Sequence, residues 1–134
     1  MSDTNSYQAL PATISKAITF EAAHRLGGPD DPAAYQRLHG HSFRLEATLC
    51  GVPDPERGWV DDLGALNAAL AELAATLDHG LLNEIEGLER PTLERICAWA
   101  AGQLAPRFPS LARITVSRPT LGETCVLELP GTTD

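Results

Sequence analysis

The sequence predicts an α+β fold, a four-stranded antiparallel sheet with two helices on one face, and three observations carry that expectation. Four segments alternate apolar and polar residues with the two-residue period of a strand. Two longer stretches between the second and third of them repeat apolar residues at spacings of three and four, the period of a helix. The resulting β-β-α-α-β-β order suits strands that pair antiparallel while both helices pack against a single face. At 134 residues the chain is long enough to bury one core. A single domain over 13–134 is expected, preceded by a flexible arm over 1–12 with no periodicity.

The first strand is expected from Thr13, where Ile14, Ile18, Phe20 and Ala22 alternate with polar residues. Residues 27–38 contain G-G-P-D-D-P, a run of turn formers that predicts an exposed loop. The second strand starts at His39, and its odd positions His41, Phe43, Leu45, Ala47 and Leu49 share one face. Asp62 is placed to cap a helix reaching Leu77, with Leu63, Leu66, Leu70, Leu73 and Leu77 as its buried stripe. Thr92 caps a second helix whose core side is Leu93, Ile96, Cys97, Ala100 and Leu104, Glu94 suits its positive end, and Pro106 stops it. Strands near Arg113–Arg118 and Thr124–Leu129 complete the order.

Composition excludes several classes of function. A net charge of −8 opposes non-specific binding to nucleic acid or to an anionic membrane. Cys50, Cys97 and Cys125 stand singly, in neither a C-x-x-C zinc pattern nor an even disulfide framework. Cys50 and Cys97 read as small buried hydrophobes. With neither a signal sequence nor a long apolar run, the expected compartment is the cytoplasm.

All four histidines fall in short strings: F-E-A-A-H ending at His24, H-G-H at His39 and His41, and L-D-H at His79. His39 and His41 project from one face of a strand, and the first strand can bring His24 beside them. Three protein ligands with an open fourth position is the pattern of a catalytic zinc site. The alternative is a turn with two solvated histidines and a hydrogen-bonded core histidine. Asp78 beside His79 can orient the imidazole and stabilise its protonated form as a general acid, or it can simply cap a helix end.

The strings F-E-A-A-H-R-L, R-L-H-G-H-S-F, D-P-E-R-G-W-V-D-D-L, L-D-H-G-L-L-N and P-T-L-E-R, in this order, resemble the 6-pyruvoyltetrahydropterin synthase family, above all its bacterial 6-carboxytetrahydropterin synthase branch. The resemblance spans about residues 14–129. It implies the tunnelling fold, zinc on His24, His39 and His41, and proton transfer by Asp78 and His79. It also implies a homo-oligomer, a hexamer of two trimers, with active sites at subunit interfaces. The implied substrate is 7,8-dihydroneopterin triphosphate or a related pterin.

Two positions depart from the family pattern. The usual catalytic base is a Cys four residues before H-G-H, where this chain has Tyr35; a variant branch uses Glu three residues before it, where this chain has Gln36. Tyr35 is therefore the candidate base, provided that its pKa is strongly depressed. The usual pterin anchor is the Glu of V-x-E-T, and here V-S-R-P-T puts Arg118 in its place. A guanidinium has only donors to offer a donor-rich ring edge. Arg118 is thus expected to meet a carboxylate or carbonyl of some other ligand. Glu123 would replace the anchor if its loop folds back, although the simpler expectation is that it opens the fourth strand.

Overall fold

A computed structural model of the chain describes residues 5–130. Four antiparallel strands, β1 (Ala12–His24), β2 (His39–Gly51), β3 (Leu111–Arg118) and β4 (Glu123–Glu128), lie in that spatial order in one sheet. Between β1 and β2 runs a four-residue helix, α1 (Ala33–Gln36), and between β2 and β3 lie α2 (Leu63–Leu77) and α3 (Leu93–Leu104). The α+β expectation holds. The helix α1 was not anticipated, because four residues following Pro32 are too few to show a period.

Strand alternation decides what the sheet buries. Phe43, Leu45, Ala47 and Leu49 of β2 turn to the helix side and are fully buried, as are Ile114 and Val116 of β3. On β1 the same face carries Phe20, Ala22 and His24, so the buried side of the sheet passes directly from core into histidine. Helix α2 packs on β1, and α3 packs on β3 and β4.

The caps act where the sequence placed them. The Asp62 side chain accepts from the Gly64 N–H, and the Thr92 hydroxyl accepts from the Arg95 N–H. The α3 stripe is buried throughout, whereas in α2 only Leu66, Leu70, Leu73 and Leu77 of the predicted stripe are. Leu63 is 43% exposed and shares a surface groove with Trp59. As the first helical residue, it extends the apolar spacing one step past the packed interface.

The expected N-terminal arm differs in part from the observation. Residues 1–4 lie outside the described residues. Asn5 caps a 3-10 turn at Ser6–Ala9, all of it exposed, and Ala12 already pairs with Gly51 in the sheet. Cys97 is buried as expected, but Cys50, at the end of β2, is only half-buried.

Candidate metal and proton-transfer site

The ends of β1 and β2 bring three imidazoles together. Ala22 pairs with His41 and His24 with His39 in the antiparallel register, which puts all three rings on one face. Their ring centroids are 4.6 to 5.0 Å apart, and one nitrogen from each falls within 4.8 Å of the others. Phe43 sets its ring against His24 and His41 in edge contacts, and Phe20 stacks on Phe43 at 5.0 Å. The cluster therefore rests on rigid aromatic packing.

Main-chain carbonyls orient two of the rings. His24 Nδ1 lies 3.1 Å from the Pro91 carbonyl, and His39 Nδ1 lies 2.9 Å from the Arg37 carbonyl. A carbonyl only accepts, so both rings hold their proton on Nδ1 and present a bare lone pair at Nε2. Those two Nε2 atoms are 3.1 Å apart. Two lone pairs at that separation repel unless a cation lies between them, and zinc bonds of about 2.0–2.1 Å in a tetrahedral arrangement put paired nitrogens roughly 3.3 Å apart.

A shared proton is a poor substitute for the cation. Burial, reinforced by the neighbouring charges of His39, His41 and Arg118 and opposed by the Pro91 carbonyl, lowers the His24 pKa to about 4. His41 is lowered too, first by burial and then by Arg118 and His39, against the pull of Glu123. His24 and His41 are thus both biased toward the neutral form, the one a metal requires. Among the described residues this cluster contains no fourth His, Cys or carboxylate, which leaves a coordination position for water or substrate.

Asp78 and His79 reach the same region through the main chain of β1. Asp78 ends α2, and its Oδ1 accepts from the Glu21 N–H at 2.8 Å while its Oδ2 lies 2.7 Å from His79 Nδ1. The His79 N–H donates to the Glu21 carbonyl, and His79 sits at φ 57, a left-handed turn that brings its ring back beside Asp78. Gly80 O then accepts from the Ala23 N–H, and Leu81 bridges Ala23 in parallel. The Asp78 carboxyl is held below its usual range, first by the Glu21 N–H and then by His79.

A cleft of about 950 Å³ joins these parts, lined among others by Glu21, His39, His41, Ser42, His79 and Leu121. Tyr35 is not among its lining residues. The residue is 54% exposed, and its carbonyl accepts from the Leu26 N–H. Gln36 spends its side-chain amide on the carbonyls of Asp31 and Pro29. Neither position is among the residues that line the cleft.

Glu123 stands where the simpler expectation put it, at the start of the fourth strand. Glu123 opens β4 opposite Arg118, and its Oε1 lies 2.8 Å from Arg118 Nε in an ion pair rather than an aligned hydrogen bond. The Arg118 side chain is 14% exposed, on the face shared with Val116 and the imidazoles. Each of the two residues has the other as its counter-charge. Glu21 and Ser42 were not anticipated in the site; the Glu of F-E-A-A-H was the available signal.

The matching family model, described as 6-pyruvoyl tetrahydropterin synthase, covers residues 13–129. The chain belongs to that family. It is 42% identical over 96 residues to the 6-carboxy-5,6,7,8-tetrahydropterin synthase of Synechocystis, covering 68% of this chain and 73% of that protein. It is 30% identical over 100 residues to a dihydroneopterin monophosphate aldolase of Pyrococcus furiosus, covering 75% and 81%. The 6-pyruvoyl tetrahydropterin synthase of Caenorhabditis elegans superposes with a TM-score of 0.77 at 23% identity, over 90% of this chain and 96% of that one. The fold is therefore the tunnelling fold of the synthase family, and no helix among the described residues is long and apolar enough to cross a membrane.

Proposed function

We propose that this synthase-family chain is a zinc-dependent lyase acting on 7,8-dihydroneopterin triphosphate or a related phosphorylated dihydropterin. The observation that carries the reading is the pair of lone-pair-bearing Nε2 atoms on His24 and His39, 3.1 Å apart, with His41 beside them. Relatives named as a tetrahydropterin synthase and as a dihydroneopterin phosphate aldolase support the substrate class. Zinc on these three histidines supplies Lewis-acid polarisation of a substrate oxygen and fixes the side chain that reacts.

The chain's own residues handle protons. His79 faces the cleft with Nδ1 tied to Asp78, which leaves Nε2 free to deliver a proton to the substrate. Asp78 stabilises the charged ring that precedes delivery, and the Glu21 main chain holds the pair in place. Tyr35 is not among the residues that line the cleft, and the reading assigns it no proton transfer. The sheet ends in two edge strands, β1 and β4, and the reading includes their pairing in a homo-oligomer, a hexamer of two trimers. A cytoplasmic setting belongs to the same reading.

The second reading is a zinc-binding relative with another heterocyclic ligand or no turnover, and the Arg118–Glu123 pair favours it. One incubation separates the two. Zinc-loaded protein is mixed with 7,8-dihydroneopterin triphosphate and followed for acetaldehyde, triphosphate and pterin products, alongside His39→Ala and His41→Ala. The proposed activity requires product from the parent and loss of both zinc and product in the variants. Folded variants that retain full zinc would remove the assigned cage, and a zinc-loaded parent without product would favour the second reading.

A further inference from the structure

With Arg118 and Glu123 paired to each other, the cleft still contains one carboxylate of its own. Among the described residues that line it, Glu21 is the only Asp or Glu. It pairs in register with Ser42, on the face of β1 and β2 opposite the imidazoles, and the cleft takes in residues of both faces where the strands end. Gly40, also in the lining, contributes no side chain there.

The Glu21 carboxylate is fixed more firmly than an exposed strand residue ordinarily is. Its N–H donates to Asp78 Oδ1 at 2.8 Å and its carbonyl accepts from the His79 N–H at 2.6 Å, so both main-chain groups of this edge-strand residue have partners outside the sheet. The Ser42 hydroxyl donates to Oε1 at 2.7 Å. That bond uses one lone pair of Oε1, and Oε2 has no hydrogen-bond partner among the described residues, so the carboxylate keeps acceptor capacity at the cleft. An ionised carboxylate only accepts hydrogen bonds, and two parallel acceptors match two adjacent donors.

We infer that Glu21 is the specificity-determining carboxylate of this cleft, and that it takes a heterocycle presenting a ring N–H beside an exocyclic amino group, the donor pair of a 2-amino-4-oxopyrimidine edge. The inference deepens the proposed pterin reading and rests on it. It assigns ring recognition to β1 and leaves Arg118 and Glu123 as a structural ion pair.

The test uses zinc-loaded full-length protein and two unreactive probes, 6-hydroxymethylpterin and the matching lumazine, whose ring carries a carbonyl in place of the amino group. Calorimetry measures the affinity of the parent, Glu21→Gln, Ser42→Ala and Arg118→Ala for each. The parent is expected to prefer the pterin at least tenfold. Glu21→Gln, which replaces one acceptor with a donor, is expected to weaken pterin binding by about 10- to 100-fold and to erase the preference, with unchanged zinc content and melting temperature. Ser42→Ala is expected to weaken it by only a few fold, and Arg118→Ala to keep the preference. A Glu21→Gln protein that binds pterin within threefold of the parent, preference intact, overturns the inference and leaves the pterin reading standing. Loss of the preference in Arg118→Ala instead would move recognition to β3. A parent that binds neither probe overturns the pterin reading itself, and the assignment of Glu21 with it.

Discussion

Replacing Asp78 with Asn separates a chemical role from a structural one, because the two carboxylate oxygens have different partners. Oδ1 accepts from the Glu21 N–H at 2.8 Å, and Oδ2 faces His79 Nδ1 at 2.7 Å. In Asp78→Asn the amide oxygen can keep the first bond, so the junction between α2 and β1 is preserved. The amide NH2 then stands where Oδ2 was. It donates to Nδ1, forces the ring proton onto Nε2 and removes the negative charge that stabilised the protonated ring. Loss of an oriented acid of this kind costs about 10²- to 10⁴-fold in turnover. Asp78→Ala, which loses both bonds, should fall as far in kcat and also in melting temperature. The assay is steady-state turnover beside thermal unfolding and zinc content for both variants. An Asp78→Asn protein within threefold of the parent in kcat, with Asp78→Ala impaired only in proportion to its lost stability, would show that Asp78 merely ends the helix.

Three further outcomes are expected. Burial, reinforced by Cys125, raises the Cys97 thiol to about 12, so folding favours the neutral form; its contribution to stability should be intact below about pH 9 and be lost as pH rises from there toward 12. Denaturant unfolding at several alkaline pH values reads this, and a Cys97→Ala protein with the same slope would contradict it. Leu70→Ala empties a fully buried site between α2 and the sheet and should cost about 2–5 kcal/mol in urea unfolding, where a loss below 1 kcal/mol would mean the core is not packed as described. Tyr35→Phe should leave turnover and zinc content unchanged, since that side chain lies outside the cleft; a tenfold loss of kcat would return it to the chemistry.

What the sequence determined by itself is what near neighbours encode. The periods of β2 and α3, and the caps at Asp62 and Thr92, are properties of residues within a few positions of one another, and each appears where its spacing puts it. The three histidines were legible for the same reason: strand alternation gives His39 and His41 a common face, and an antiparallel partner brings His24 to it. Tertiary structure alone decided the tautomer of His24, because the carbonyl that receives its proton belongs to Pro91, 67 residues away. It also closed the Asp78–His79 pair through the Glu21 main chain, which adjacency in sequence could not do. Tyr35 shows the limit of spacing: its distance from H-G-H along the chain matches a catalytic position, while its carbonyl is tied to the Leu26 N–H, the residue is 54% exposed and it is not among those lining the cleft. Spacing along a loop fixes how far a side chain can reach. The direction in which it reaches depends on which distant backbone groups hold the loop, and Glu21 likewise lines the cleft with its main chain held by Asp78 and His79, 57 and 58 residues away.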